Sequence, residues 1–330
     1  MNYYNPTTDT ISPLPPGTPI GIDEGQWEEN TSFNSGVQFA WDATSISLYK
    51  TCPRKYHYTL VKGYVPRVIP PPLAFGIHLH TLFQTWHELV ESGTPKDVAL
   101  MRVTRLAGLL GETLPPGDTA RTKETLVRTI VWYFDHFWDD SAITVRRSNG
   151  KPACEYHFQL PFMTYKGQTV YICGHIDRLV RWQGQTFVMD YKSTKYQLDN
   201  RFFAGFKPSI QIALYVVACH LIASSTSDLP PANGAIIDGI QLGVNFSRFS
   251  RQIIPYSLEE INEYIEDLQA SIKQAMDASE AGIFIPNETA CNNYSGCHFK
   301  DICSKPAARR KTFLNGTFKQ RTWNPLKPRT

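Results

Sequence analysis

The chain has 330 residues, of which 42% are hydrophobic and 12% aromatic, so it can bury the core of one large or two modest domains, and global disorder is excluded. The formal net charge of +3 is too small to indicate nucleic-acid binding by itself, and neither a membrane-spanning apolar run nor a signal-peptide pattern is present. We therefore expect a soluble, cytoplasmic protein without membrane contact, whose seven cysteines do not form a disulfide framework.

The first half of the chain is predicted to be an arm followed by helices. Residues 1–43 are rich in Pro, Gly, Thr, Asn and acids and lack periodicity, which indicates an extended or disordered arm. A helix is expected to begin with Thr44 or Ser45 as its cap, and Cys52-Pro53 separates it from a second helix over 54–60. After a Pro-rich connector, a helical insertion over 73–140 is indicated by helical patterns at 73–90, 95–111 and 120–139.

The second half is predicted to mix strands and helices. After Ala153 the pattern predicts strands at 154–163, 168–181, 186–192, 235–244 and 250–255. Helices are predicted over 208–224 and, from a capping box at Ser257, to about Ala281. The chain is therefore expected to have an α/β fold.

Residues Cys173 to Lys192 are predicted to form two strands joined by a polar turn at 181–185. Strict alternation in the second strand directs Asp190 and Lys192 to one face, and the first strand contributes Asp177. Two carboxylates and a lysine at a strand end favour a hydrolytic metal site, because hard divalent cations bind carboxylate oxygens. A half-exposed ion pair without a function is the alternative.

A helical histidine is a further candidate ligand. His78 and His80 point to nearly opposite sides of their helix, so only one can face a common site, and His80 shares its face with Gln84 and His87. A hydrogen-bonded core histidine is the ordinary alternative.

Three more polar residues are candidates for the site because of their positions. Gln211 and Tyr215 form an i, i+4 pair on an apolar helix, and such a pair needs backbone or ligand partners when buried. Glu155 begins a strand and could add a carboxylate, although an acid at a strand start is usually on the surface.

The cysteines divide into two groups. Cys291, Cys297 and Cys303 are each separated by five residues and can ligate one metal centre, but zinc and iron–sulfur centres usually need a fourth ligand. Cys52 would supply it and join the start of the fold to its end, whereas His298 is an alternative for zinc; three unligated cysteines are a further alternative. The remaining cysteines lie in apolar patterns and are predicted to be packing residues: Cys154, Cys173 and Cys219.

The last segment, 305–330, contains eight Lys or Arg and no acid, interleaved with Phe313, Phe318 and Trp323. A solvated basic tail and a tail that follows a nucleic-acid strand with stacking aromatics both explain this composition. No Walker A loop, G-x-S-x-G or H-E-x-x-H motif is present, so the chain carries no P-loop motor.

Six short motifs in order resemble the PD-(D/E)XK nuclease superfamily, specifically its RecB-like branch with an iron–sulfur cluster, which includes CRISPR-adaptation exonucleases, AddB-type nuclease domains and phage exonucleases. Together they cover residues 44–304. The matching segments are SISLYKTCPRKY at 45–56, GIHLH at 76–80, GHIDR at 174–178, DYK at 190–192, QIALY at 211–215 and CHFKDIC at 297–303. The spacing of Cys291 and Cys297 departs from the two intervening residues found in many relatives.

The resemblance implies a fold and a set of roles. The fold would be a restriction-endonuclease-like core, with a mixed central sheet flanked by helices, a helical N-terminal insertion and a C-terminal cysteine cluster over 289–304. The implied ligands of Mg²⁺ or Mn²⁺ are His80, Asp177, Asp190 and the carbonyl of Tyr191. Lys192 would act on the attacking water or the phosphate, and Gln211 and Tyr215 would brace the site. A structural [4Fe-4S] cluster, or less readily zinc, would be held by Cys52, Cys291, Cys297 and Cys303.

The resemblance also implies an activity. We expect a metal-dependent DNA exonuclease that acts on single-stranded or duplex ends in recombination, repair or phage and CRISPR DNA processing, beside a separate helicase or recombination partner and of prokaryotic or phage origin. The alternatives are an endonuclease or nickase with the same site, and an idle iron–sulfur DNA-binding subunit.

Overall fold

The computed structural model describes residues 2–5, 10–13, 32–293 and 296–326, and it shows an α/β fold built on one mixed sheet. The strands are β1 Asn2–Asn5, β2 Thr10–Pro13, β3 Phe33–Asn34, β4 Val37–Gln38, β5 Ala40–Trp41, β6 Tyr64–Val65, β7 Ile143–Thr144, β8 Cys154–Tyr165, β9 Gln168–Trp182, β10 Gln185–Thr194, β11 Gly234–Leu242, β12 Ser247–Pro255 and β13 Lys319–Gln320. The helices are α1 Ala43–Thr51, α2 Pro53–Tyr56, α3 Pro71–Glu91, α4 Lys96–Gly111, α5 Lys123–His136, α6 Asn200–Ala204, α7 Ile210–Ser225, α8 Leu258–Ala281, α9 Lys300–Cys303 and α10 Ala307–Thr317.

The central sheet has the order β12-β11-β10-β9-β5, and β7 and β8 also pair with β9. β10 runs parallel to β11, and β5 runs parallel to β9, whereas the other pairs of this sheet are antiparallel. The predicted α/β class with a mixed central sheet is confirmed. None of the helices in the described ranges has both the length and the apolar character needed to cross a membrane.

Helices cover both faces of the sheet. Val188 of β10 packs in a large cluster with Leu214 of α7 and other residues on one face. Met189, its neighbour, packs on the other face with Phe83 of α3 and other buried residues, including several from α5. Because consecutive strand residues enter different clusters, the alternation predicted for this strand is confirmed.

The predicted hairpin turn is also confirmed. β9 ends at Trp182 and β10 begins at Gln185, so Gln183 and Gly184 alone form the connection. Their φ angles of 49° and 77° lie in the left-handed region, which the favoured two-residue hairpin turn requires and which glycine adopts readily.

Of the two predicted helix N-caps, the one for α1 is wrong and the one for α8 is correct. Asp42, rather than Thr44 or Ser45, caps α1, because its Oδ1 accepts a hydrogen bond from the Ser45 N–H at 2.9 Å. Ser257 caps α8 through the predicted capping box with Glu260.

The two terminal segments are more folded than predicted. β5 pairs with β9 and includes buried Trp41, so the sheet begins before residue 44, while residues 1, 6–9 and 14–31 of the predicted arm lie outside the described residues. At the other end, α10 forms and β13 pairs with β6, and Phe318 is buried beside Phe299. A wholly solvated tail is therefore wrong as far as residue 320, because Phe318 and Leu314 bury apolar surface.

Candidate active site

The site lies where β10 separates from β9. Their ladder ends at the pair of Met189 and Arg178, whereas the ladder between β10 and β11 continues to Thr194. Released from the first ladder, the Tyr191 N–H donates to Asp177 Oδ2 at 3.2 Å. Beyond the end of that ladder, the backbone of β10 therefore holds the Asp177 carboxylate.

Three ligand-type side chains meet there. His80 of α3 places its Nδ1 3.3 Å from Asp177 Oδ1 and 3.6 Å from Glu155 Oε1, and one ligand atom of each residue lies within 4.8 Å of the others. An imidazole and two carboxylates are ligands that divalent cations such as Mg²⁺ and Mn²⁺ accept, so this set could hold a metal ion.

The charges in this group are coupled. Burial disfavours the charged imidazole, but Asp177 and Glu155 outweigh that effect and raise the pKa of His80 to about 10. At neutral pH the His80 ring is therefore protonated, and its single positive charge partly offsets the negative charge of the neighbouring acids. A cation bound in this place would release that proton, because a ligating imidazole must be neutral.

The geometry separates the histidines of α3, as their spacing predicts. His80 faces Asp177, whereas His78 Nε2 lies 2.9 Å from Thr113 Oγ1. His87 Nε2 lies 3.1 Å from the Tyr191 hydroxyl and so contacts β10, the strand that carries Asp190 and Lys192.

Glu155 is held in an unusual backbone conformation. Its φ of 42° is left-handed, and its neighbours Cys154 and Tyr156 pair with the residues on either side of Asp177. A non-glycine residue in this region carries strain, which is often found at functional sites. The strand pattern predicted Glu155 to lie on the surface, whereas its side chain is 6% exposed and adjoins His80.

Asp190, Lys192 and Gln211 form a closed ring of one ion pair and two hydrogen bonds. Lys192 Nζ is 2.6 Å from Asp190 Oδ2 and donates to Gln211 Oε1 at 3.2 Å. Gln211 Nε2 donates to Asp190 Oδ1 at 3.2 Å and to the Tyr215 hydroxyl at 3.3 Å. Both ends of the Gln211 amide are used, so α7 fixes the relative position of the acid and the lysine.

Asp190 is fully buried, and this sets its electrostatics. Burial raises the pKa of Asp190, the Lys192 ammonium opposes that rise, and the neighbouring Asp177 adds to it. The pair is therefore not the half-exposed surface ion pair that was the alternative, because its carboxylate has no contact with solvent.

Two of the four predicted cysteine ligands, Cys52 and Cys291, contact Asn287. The Asn287 N–H donates to Cys52 Sγ at 3.4 Å, and the Cys291 thiol donates to the Asn287 carbonyl at 3.7 Å. Burial raises the pKa of the Cys303 thiol, Arg54 lowers it, and the Cys297 and Cys52 thiols beside it raise it again. The start and the end of the fold thus approach each other at Cys52 and Cys291, but among the described residues only His80, Glu155 and Asp177 bring three ligand atoms within 4.8 Å of one another.

The structure also contains a buried network of charged side chains that the sequence did not predict. Asp238 of β11 accepts from the Tyr133 hydroxyl at 2.5 Å and from Arg251 Nε at 2.7 Å, and Arg251 also binds Asp140 at 2.6 Å. Arg178, whose side chain donates to Asp140 at 3.3 Å, completes it. The available signal was Asp238 itself, a single acid within the otherwise apolar AIIDGI of a buried strand.

Fold and site together define a class, namely mixed-sheet α/β proteins that present an Asp-x-Lys pair at a strand end beside further acidic side chains. Residues 40–304 match the model of the PD-(D/E)XK nuclease superfamily, and the chain belongs to this superfamily. Its helix-flanked mixed sheet agrees with the restriction-endonuclease-like fold of the superfamily. The chain is thus a nuclease by family, and Asp190-Tyr191-Lys192 has the form of the motif in the superfamily name.

Two solved structures are similar at low identity. The crystal structure of SSO0001 has a TM-score of 0.36 and 14% identity, covering 85% of this chain and 88% of that one. A "Putative exonuclease" from Eubacterium rectale has a TM-score of 0.42 and 12% identity, covering 87% and 98%. No curated protein matches the chain.

Proposed function

We propose that the chain is a divalent-metal-dependent DNA exonuclease that hydrolyses phosphodiester bonds from single-stranded ends. The observation that supports this best is the ring of Asp190, Lys192 and Gln211 next to the group of His80, Asp177 and Glu155. A lysine held by a buried acid and an amide has one position, which is what a group acting on one reacting atom needs.

The residues of the site would have different roles in hydrolysis. His80, Asp177 and Asp190, with the carbonyl of Tyr191, would hold Mg²⁺ or Mn²⁺, and Glu155 is a further ligand candidate because it adjoins His80. Once bound, the ion would lower the pKa of a water molecule and offset charge on the scissile phosphate. Lys192 would orient that water or stabilise the charge that develops on the phosphate, while Gln211 and Tyr215 keep Lys192 in place.

Digestion of end-labelled linear and circular single strands tests this function. With Mg²⁺, we expect the linear strands to be shortened from their ends and the circles to stay intact, and EDTA should stop the reaction. Cutting of the circles would contradict the exonuclease assignment and support an endonuclease that uses the same site. Intact linear strands at every Mg²⁺ or Mn²⁺ concentration would contradict both activities.

We also propose that the chain belongs to the RecB-like branch and carries a structural [4Fe-4S] cluster on Cys52, Cys291, Cys297 and Cys303. Four cysteines from two distant parts of the chain in one region support this proposal. The cluster would join the α1–α2 junction to the segment before α10, in a part of the molecule that has only a small apolar cluster of its own.

Loss of one ligand should remove the cluster. Protein purified without oxygen is expected to be brown and to contain iron and sulfide, and Cys303→Ser should lose most of both. Cys219→Ala is the matched control, because Cys219 is buried within α7. A colourless wild-type protein with stoichiometric zinc would contradict the iron–sulfur assignment.

A further inference from the structure

One edge of the sheet carries exposed aromatic side chains next to the catalytic strand. β10 and β11 are parallel, with Thr194 opposite Gln241, so the loop after β10 and the turn between β11 and β12 leave the sheet at the same end. Tyr196 lies in that loop, four positions beyond Lys192, and is 82% exposed. Phe246 lies in the neighbouring turn and is 37% exposed.

The loop that carries Tyr196 is anchored on both sides. Before it, the Tyr196 N–H donates to Thr194 Oγ1 at 3.0 Å, and Lys195 Nζ lies 2.8 Å from Asp118 in the α4–α5 connection. After it, Leu198 packs so closely on β11 that a Cβ at Gly239 would lie 2.8 Å from its Cδ2. The backbone on both sides of Tyr196 is therefore anchored while its ring remains exposed, and an exposed tyrosine ring offers a large stacking surface with few rotatable bonds.

The turn between β11 and β12 is fixed in the same way. The Arg128 guanidinium of α5 donates to the carbonyls of Gly243 at 2.7 Å and Val244 at 2.8 Å. The Phe246 ring lies against Gly243, and the Arg248 guanidinium lies 4.8 Å from the centre of that ring. A cation over an aromatic ring presents both a stacking face and a charge for phosphate.

The charges at this edge favour a polyanion. The turn and its flanks from Leu242 to Ser250 contain no acid, and they carry Arg248. Arg201, at the start of α6, has a side chain 94% exposed despite its 3.5 Å contact with Asp199. Aromatic rings beside cations are the combination that binds single-stranded nucleic acid without reading its sequence, since every base has a face that can stack.

We propose that this edge binds the single strand next to the catalytic strand, with Tyr196 stacking on a base and Phe246 with Arg248 forming a second contact. The proposal rests on the proposed nuclease function for its substrate, but it concerns binding rather than hydrolysis. A duplex interior offers no free base face to Tyr196, so the edge should distinguish single strands from duplex.

Binding measured without hydrolysis tests this assignment. The full chain is titrated in EDTA, at one fixed salt concentration, against a labelled 20-nucleotide single strand and against the same strand paired with its complement. Tyr196→Ala should weaken single-strand binding about tenfold, the usual effect of losing one base–aromatic stack, and change duplex binding much less. Tyr196→Phe keeps the ring and should restore single-strand binding.

Leu258→Ala is the matched control. Leu258 is also strongly exposed, at 69%, but follows the end of β12 that is opposite to the turn. Wild-type affinity in Tyr196→Ala, or an equal loss on single strand and duplex, would overturn the assignment. A wild type that cuts no DNA, combined with selective loss in Tyr196→Ala, would reject the nuclease function and leave the binding edge standing.

Discussion

Lys192→Ala is expected to slow DNA cleavage roughly a thousandfold, because a lysine that serves the attacking water or the phosphate charge contributes on this order. The substitution removes the ammonium that lies 2.6 Å from Asp190 and 3.2 Å from Gln211. DNA binding in EDTA should survive, since Lys192 is one cation among several near the strand. Single-turnover cleavage of an end-labelled strand at saturating Mg²⁺ measures the effect.

Two controls separate the chemistry from folding. Lys192→Arg keeps a positive charge but replaces a compact ammonium with a planar guanidinium, so it should restore little activity. Lys166→Ala removes an exposed lysine that pairs with Glu280 at the far end of the β8–β9 hairpin, and it should cleave normally. Cleavage at the wild-type rate in Lys192→Ala would exclude this lysine from the mechanism.

Arg251→Ala is expected to lower the free energy of unfolding by about 3–5 kcal/mol, the usual cost of removing one partner of a buried ion pair. Its guanidinium binds Asp238 at 2.7 Å and Asp140 at 2.6 Å, and lies 3.7 Å from the centre of the Phe137 ring. Burial already raises the pKa of Asp238, and Arg251 opposes that rise. Without Arg251, Asp238 must take up a proton or stay charged in an apolar setting.

Urea unfolding followed by circular dichroism measures this loss. Lys273→Ala, which breaks an exposed pair with Asp277 within α8, should change stability by no more than about 0.5 kcal/mol. In a double-mutant cycle, Asp238→Ala with Arg251→Ala should cost less than the sum of the single variants by about 0.5–3 kcal/mol. Strictly additive losses would show that the two residues do not stabilise each other.

Local periodicity was enough to predict several parts of the site. Alternation along β10 puts Asp190 and Lys192 on one face because a strand repeats every two residues. The helical repeat puts Gln211 and Tyr215 side by side, and their 3.3 Å hydrogen bond agrees with that prediction. Such features depend on residues close in the chain, so their geometry follows from the backbone alone.

Contacts between distant segments were decided only by the tertiary structure. Glu155 could not be placed beside His80 from the sequence, because its position depends on how β8 pairs with β9 and where α3 lies against them. The burial of Phe318 likewise depends on β13 reaching β6 across the fold. The sequence by itself determined most of the longer helices and strands and the Asp-x-Lys strand. Packing between distant elements decided which ionisable groups became neighbours, since burial and pairing are properties of the assembled core.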